Sequence, residues 1–255
     1  MKLRLPSRIS ILMLLLVALA GCVSTRSQPE VKNDPVAYHY QMGLSFLGER
    51  NFTGALVELT EAEKLDPNNV DVLYNLGVAY VGKKRPDLAE QRFLKVIELK
   101  PNNSIARNDL GVAYLDLKRW DSAIQQFKIV KDDIFYENGE NATINLGLAY
   151  LGKGDYPKAL EELNSALHAN PRKLEARLSL GRIYFAMDRP EQAVVEYKKA
   201  LEIYRDYGDA HYYLGIAYLK LQNIDAARTA FREVMRIKPD SEVGRSALGY
   251  LELLK

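Results

Sequence analysis

Small and large apolar residues recur at a fixed interval along most of the chain. A glycine marks each interval, and the steps between successive glycines are 34, 34, 36, 34, 34 and 34 residues: Gly43, Gly77, Gly111, Gly147, Gly181, Gly215 and Gly249. Twelve residues after each of the first six glycines stands an alanine, and four residues later a large apolar residue. The four-residue step places these two side chains on one face of a helix. An interval of this length suits two short amphipathic helices with their connections, so the pattern predicts a series of helix pairs.

Tyrosine and proline complete the repeated phrase. Five of the glycines stand in the phrase Leu-Gly-x-x-Tyr, and prolines close four of the intervals: Pro67, Pro101, Pro171 and Pro239. This pattern resembles the tetratricopeptide repeat (TPR) family. The resemblance implies an all-α, right-handed α-solenoid of six helix pairs over residues 36–255, in which the glycine lets helix A approach helix B. The repeats are expected at residues 36–69, 70–103, 104–139, 140–173, 174–207 and 208–241, with a terminal capping helix at residues 242–255.

The third repeat departs from this pattern. It has 36 residues and no closing proline, and its connection to the fourth repeat carries the aromatic pair Phe135 and Tyr136. We expect this pair to pack beneath the connection. Exposure of the two side chains to a partner is the alternative.

The first 22 residues follow the pattern of a secretory leader. Basic residues precede an apolar run from Ile9 to Ala20, which is shorter than the about 20 apolar residues that a spanning helix needs. The run leads into Leu-Ala-Gly-Cys22, which resembles the lipobox of bacterial lipoproteins, and Cys22 is the single cysteine. The resemblance implies that residues 1–21 are removed as a signal peptide and that Cys22 is acylated. The alternative is an ordinary signal peptide with a chance cysteine.

The residues after Cys22 bear on where such a lipoprotein would lie. Val23 stands where an aspartate would retain a proteobacterial lipoprotein in the inner membrane. The resemblance therefore implies the periplasmic face of the outer membrane, with the acyl chains on Cys22 as the membrane contact. Residues 22–35 are mostly polar and contain two prolines, which is typical of a flexible tether.

Charge and residue chemistry exclude several classes of function. The formal net charge is +2, whereas nucleic-acid-binding proteins usually concentrate an excess of basic residues. One cysteine permits neither a disulfide framework nor a cysteine metal cluster. The three histidines, His39, His168 and His211, stand in different repeats. The sequence therefore predicts no enzyme, no cofactor, no metal site, no nucleic-acid partner and no small-molecule substrate.

The resemblance also implies where a partner would bind. In TPR solenoids the A helices line a concave face, and positions two, five, six and nine of each repeat point into it. Besides apolar residues such as Ile144 and small ones such as Ser179, these positions hold the residues of the predicted protein-binding groove: Tyr40, Asp71, Tyr74, Asn75, Asn108, Asp109, Asn141, Asn145, Arg182, Tyr212 and Tyr213. Asparagine carries both donor and acceptor groups for a peptide backbone, and the tyrosines can anchor apolar side chains. Hydrogen bonding within the protein is the alternative role for these residues.

The combination of a lipobox, a short tether and six repeats resembles the lipoproteins of type IV pilus assembly, the pilotin class that helps a secretin reach the outer membrane. The longer third connection also resembles that family. The resemblance implies a non-catalytic assembly factor that binds a secretin or another envelope protein. Two alternatives stay open, which are a general envelope scaffold for peptidoglycan or polysaccharide-export enzymes and a self-associating structural protein.

Overall fold

A computed structural model describes residues 34–254, and these residues form helices with short connections and no strand. Helices α1–α13 run, in order, over Pro35–Gly48, Phe52–Leu65, Val70–Gly82, Pro86–Leu99, Ser104–Asp116, Trp120–Lys131, Gly139–Lys153, Tyr156–Ala169, Leu174–Ala186, Pro190–Ile203, Gly208–Lys220, Ile224–Ile237 and Glu242–Leu253. The odd-numbered helices α1–α11 are the A helices of the six repeats, the even-numbered helices are the B helices, and α13 is the cap. The predicted all-α solenoid is confirmed.

The helices are arranged so that the A helices form the inner side of the curve. Each helix packs against the helices that precede and follow it in the chain. In addition, A helices of neighbouring repeats contact each other: α5 contacts α7, and α9 contacts α11. The B helices in the described part of the chain make no comparable contacts with one another. The surface formed by the A helices is therefore the concave one, as the resemblance implied.

The repeated glycines are required by close packing inside each repeat. A Cβ atom added to Gly111 would lie 2.5 Å from Cε1 of Phe127, and one added to Gly147 would lie 2.9 Å from Cδ2 of Leu163. Phe127 and Leu163 are fully buried. The eighth position of each repeat is therefore small because the large residue sixteen positions later occupies the space above it.

The turn between helices A and B has a backbone conformation that the sequence does not indicate. In five repeats a residue other than glycine has a positive φ of 56–59°: Arg50, Lys84, Lys118, Asp188 and Gln222. Only the fourth repeat has a glycine there, Gly154, with a φ of 83°. This left-handed conformation costs an ordinary residue roughly 1–2 kcal/mol, so the packing of the two helices must outweigh it in five of the six turns.

The cap differs from a full repeat because, within residues 34–254, no helix B follows α13. A Cβ atom added to Gly249 would meet nothing within 4 Å, whereas one added to Gly244 would clash with the carbonyl oxygens of Lys238 and Pro239. The ring of Tyr250 stacks on Phe231 at a centroid distance of 4.9 Å. Helix α13 therefore covers the last apolar face of the solenoid.

The connection after the third repeat, residues 132–138, corrects one expectation. Phe135 is 87% exposed and Ile134 beside it is 88% exposed, while Tyr136 is partly buried. The prediction that both aromatic residues pack beneath the connection is wrong for Phe135. The reason is local, because Asp133 Oδ1 accepts a hydrogen bond from the backbone N of Phe135 at 3.0 Å and its other carboxylate oxygen accepts one from the Ser104 hydroxyl. The tight turn so formed directs Phe135 outward.

The predicted signal peptide and the lipidation site Cys22 lie outside the described residues. The first described helix begins at Pro35, where the Asp34 side chain accepts hydrogen bonds from the backbone N of Val36 and of Ala37. None of the helices within residues 34–254 has both the length and the apolar character needed to cross a membrane.

Candidate protein-binding groove

All of the predicted groove residues lie on A helices. Helix α1 carries Tyr40, α3 carries Asp71, Tyr74 and Asn75, α5 carries Asn108 and Asp109, α7 carries Asn141 and Asn145, α9 carries Arg182, and α11 carries Tyr212 and Tyr213. The structure divides them into two groups with different surroundings. One group links α1 to α7 through polar contacts, and the other encloses a cavity between α9, α11 and the cap.

Four side chains of the first group form a hydrogen-bonded chain across three helices, which we call the polar ladder: Tyr74, Asp109, Asn108 and Asn145. The Tyr74 hydroxyl donates to Asp109 Oδ2 at 2.7 Å, and Asn108 Nδ2 donates to Asp109 Oδ1 at 3.1 Å. Asn145 Nδ2 donates to Asn108 Oδ1 at 3.4 Å. These polar groups therefore bind one another, which is the alternative that the sequence left open for them.

The first two repeats are joined in the same way. Asn75 Nδ2 donates to the Tyr40 hydroxyl at 3.3 Å and to the backbone oxygen of Asp71 at 2.8 Å. The side chain of Asn141 on α7, by contrast, is exposed. Among the predicted asparagines, Asn141 therefore presents its amide to solvent, whereas Asn75, Asn108 and Asn145 are partly buried and hydrogen-bonded.

The polar ladder is an environment that disfavours charge. Burial raises the pKa of the Tyr74 phenol, and the neighbouring Asp109 charge raises it further. Burial also raises the pKa of the Asp109 carboxyl, although the hydrogen bonds from Tyr74 and Asn108 oppose that shift. The pKa of Tyr136 is raised by burial and then by Asp109. Tyr136 thus reaches from the third connection towards the ladder, and nothing in the repeat pattern indicates it because that connection lies outside the repeat register.

The second group encloses a cavity of about 400 Å³, which we call the aromatic pocket. Its lining residues come from five helices: Leu151, Arg182, Phe185, Ala186, Tyr197, Tyr212, Tyr213, Ile216 and Tyr250. The Arg182 Cζ atom lies 5.5 Å from the centroid of the Tyr213 ring. The Tyr213 ring also stacks on Tyr197 at a centroid distance of 6.0 Å, and it meets Tyr212 edge-on at 5.5 Å.

Burial in and around this pocket shifts the tyrosine pKa values upward. Burial raises the pKa of Tyr197, whereas the positive charge of Arg182 lowers it. Burial, followed by the charges of Asp209 and Glu175, raises the pKa of Tyr207 to about 12. All of these phenols are therefore neutral at physiological pH, and Arg182 supplies the positive charge that the pocket presents.

Sequence reasoning found Arg182, Tyr212 and Tyr213 but missed Tyr197 and Tyr250. A signal for Tyr250 was present, because it is the ninth residue of the cap and so occupies a groove position in the repeat register. Tyr197 carried no such signal, since its position in helix B normally holds a residue of the internal core.

The prediction that two further side chains point into the groove is wrong. Ile144 and Ser179, at the fifth position of repeat four and the sixth position of repeat five, are each only 4% exposed. Ile144 packs into the central core, and the short Ser179 side chain is covered by its neighbours. These two side chains therefore do not contribute to the exposed concave surface, although the repeat register predicts that they do.

Solved structures with this fold include a type IV pilus biogenesis factor. PilW, described as a widely conserved type IV pilus biogenesis factor, superposes with a TM-score of 0.71 at 21% identity over 85% of this chain and 99% of that chain. PilF of Pseudomonas aeruginosa gives 0.63 at 20% identity over 84% and 97% of the two chains. A tetratricopeptide repeat protein of Parabacteroides merdae gives 0.76 at 17% identity over 96% and 92%.

Curated relatives match only in part. The Protein CTR9 homolog of Arabidopsis thaliana is 29% identical over 111 residues, which is 43% of this chain and 10% of that protein. Three sequence models described as tetratricopeptide repeats match residues 46–104 and 188–249, residues 144–207, and residues 93–125. The matched segments together span well over half of the sequence, and the chain belongs to the tetratricopeptide repeat family.

Proposed function

We propose that this chain is a lipid-anchored assembly factor on the periplasmic face of the outer membrane, where it holds a protein of a type IV pilus or secretin machine in its concave groove. The observation that carries the proposal is the length of the similarity to PilW, which extends over 99% of that protein. The similarity also covers 85% of this chain, and the chain carries a lipobox-like sequence at Cys22.

The groove supplies the binding surface that this role requires. The polar ladder locks neighbouring A helices together, and this fixes the spacing of the exposed groove side chains before a partner arrives. A preorganised surface loses less conformational freedom on binding. The aromatic pocket offers tyrosine and arginine side chains, which are the residue types that most often dominate binding energy in protein interfaces.

A second candidate is a general envelope scaffold for peptidoglycan or polysaccharide-export enzymes. The fold is compatible with this role, because the Parabacteroides merdae protein, described only as a tetratricopeptide repeat protein, superposes with a TM-score of 0.76. The two candidates share the anchor and the groove, and they differ in the identity of the partner.

Site-specific photocrosslinking in the native host tests the proposal. A p-benzoylphenylalanine in place of Asn141 puts the reactive group in the groove, and the same replacement of Asn164 puts it on helix α8. Both asparagines are exposed, so the two variants form a matched pair. We expect a secretin or pilus-assembly protein to be captured from Asn141 and not from Asn164. Capture of cell-wall or export enzymes from Asn141 would contradict the pilus role and support the general scaffold.

The anchor is tested separately with Cys22→Ser. We expect the native chain to incorporate radiolabelled palmitate and to fractionate with the outer membrane. The variant is expected to lose the label and to be released into the soluble periplasmic fraction, because the acyl chains would no longer hold it. An unlabelled native chain would contradict the lipoprotein assignment without affecting the groove.

A further inference from the structure

Arg182 differs from every other partly buried arginine in the described residues. Arg92 pairs with Glu63 at 2.8 Å, Arg177 donates to Glu196 at 2.9 Å, and Arg228 donates to the backbone oxygen of Leu254 at 2.6 Å. Arg107 donates to Gln126 and to the backbone of the preceding connection. Within residues 34–254, Arg182 donates no hydrogen bond, and no carboxylate oxygen lies within 4 Å of it.

This unpaired cation lies at a wall of the aromatic pocket. Its guanidinium contacts the face of Tyr213, which orients the group without satisfying its five N–H donors. The remaining wall consists of aromatic and aliphatic side chains from Phe185, Tyr212 and Ile216. The N–H donors of Arg182 are therefore available to an anionic group of a partner, and the planar guanidinium suits a carboxylate.

The surrounding acidic residues do not supply that anion. Asp209 already pairs with Lys238 Nζ at 3.0 Å. Glu175, on the same helix as Arg182, is exposed, and its carboxylate does not come within 4 Å of a guanidinium nitrogen. The pocket therefore presents an open apolar cavity beside a free, oriented guanidinium.

We propose that the aromatic pocket binds a segment of a partner protein in which an aromatic side chain lies next to a carboxylate. The aromatic side chain enters the cavity of about 400 Å³, and the carboxylate accepts two parallel hydrogen bonds from Arg182, the geometry that guanidinium favours. The inference rests on the proposed function, because it assigns the groove a chemical class of partner. The carboxylate is that of an acidic side chain adjacent to the aromatic residue in the partner sequence.

Three synthetic peptides test this assignment by calorimetric titration of the full-length chain in detergent. The first is acetyl-Ala-Phe-Glu-Ala amide, the second is the uncharged acetyl-Ala-Phe-Gln-Ala amide, and the third is acetyl-Ala-Ala-Phe with a free carboxylate. We expect the first peptide to bind about 10-fold more tightly than the second, since a charge-assisted pair outweighs a neutral contact. Tighter binding of the third peptide than of the first would contradict the acidic side chain and indicate a terminal carboxylate.

The variant Arg182→Gln is expected to remove this preference, because the glutamine side chain carries no charge to pair with the carboxylate. The matched control is Arg172→Gln, which removes the same charge from an exposed side chain just before helix α9 and is expected to keep the preference. Equal affinities of the native chain for the Glu and Gln peptides would overturn the inference, as would a preference that survives Arg182→Gln. Absence of saturable binding of the Glu peptide at concentrations up to about 10 mM would overturn it as well.

Failure of this inference can be told apart from failure of the proposed function. A pilus protein captured from Asn141 together with peptides that do not discriminate would leave the function standing and remove the role of Arg182. Discriminating peptides together with the capture of export enzymes would do the reverse.

Discussion

The two ends of the groove use polar side chains in opposite ways. In the polar ladder, Tyr74, Asp109 and Asn108 bind one another, so that each donor meets an acceptor of the protein itself. In the aromatic pocket, Arg182 contacts a ring and meets no acceptor in the described part of the chain. The comparison shows that a polar residue in a repeat groove indicates binding only when its hydrogen-bond donors or acceptors have no partner within the protein itself. The ladder is a structural device, and the pocket is the stronger candidate for recognition.

The largest expected effect comes from removing the buried ring that supports Tyr250, one of the residues lining the aromatic pocket. Phe231→Ala deletes a fully buried ring that stacks on Tyr250, and large-to-small changes of this kind lower the free energy of unfolding by about 3–5 kcal/mol. Urea denaturation measures the loss. Because repeats contact only their neighbours, hydrogen exchange should accelerate in α11–α13 and stay unchanged in α3–α7. Equal acceleration in both regions would show that the two ends of the groove are not independent.

An intermediate effect is expected from Tyr74→Phe in the ladder. The change keeps the ring and removes the hydroxyl that donates to Asp109, which leaves a partly buried carboxylate with one hydrogen bond fewer and costs about 1–3 kcal/mol. The control is Tyr38→Phe, whose exposed side chain should tolerate the loss of its hydroxyl. A stability loss below that of the control would mean that the ladder contributes nothing to the fold.

The ladder also predicts a dependence on pH. The folded state raises the pKa of Asp109, so the protonated form is favoured by folding and its stabilisation is lost as pH rises through the folded pKa. Lowering the pH from 7 towards 4 should therefore stabilise the native chain relative to Asp109→Asn. Urea denaturation of both chains at the two pH values measures the difference. A constant difference would indicate that Asp109 titrates normally.

The sequence predicted the packing within each repeat because that packing depends on spacing alone. Gly111 and Phe127 stand at fixed positions of the repeat, so their contact follows from the register. The hydrogen bonds of the polar ladder join residues of different repeats. They depend on side-chain torsions and on the distance between A helices, and no interval in the sequence specifies either.

The turns and the third connection show a second limit. In a sequence, a residue with left-handed backbone conformation is normally predicted from the presence of a glycine. Five of the six A–B turns nevertheless place another residue in that conformation, as at Lys84 and Gln222. In the third connection, the single carboxylate of Asp133 decides that Phe135 points outward. Such local competition between one hydrogen bond and apolar burial cannot be resolved from the composition of a segment.

The cap provides a smaller test of how the pocket is closed. Gly249→Ala adds a methyl group in open space on helix α13, and replacing glycine by alanine within a helix stabilises by about 0.5–1 kcal/mol. Gly244→Ala in the same helix should instead destabilise, because the added Cβ would meet two backbone oxygens. Thermal denaturation compares the two variants. Changes in melting temperature of opposite sign would show that the close packing of α13 is confined to its first turn, where Gly244 lies.

The smallest effect on stability is expected at Arg182, and it sharpens the comparison most. Arg177 on the same helix donates to Glu196, which is only 6% exposed, so Arg177→Gln removes a partner of a buried carboxylate and should destabilise measurably. Arg182→Gln removes only the contact with Tyr213, worth about 0.5–1 kcal/mol at a partly exposed site. Urea denaturation of the two variants should therefore rank Arg177→Gln as the more damaging. A residue that the fold can lose at so little cost, while it keeps an unpaired charge beside an apolar cavity, is one whose charge serves a partner. If Arg182→Gln proved the more damaging, the guanidinium would be a structural element like the ladder, and the distinction between the two ends of the groove would fail.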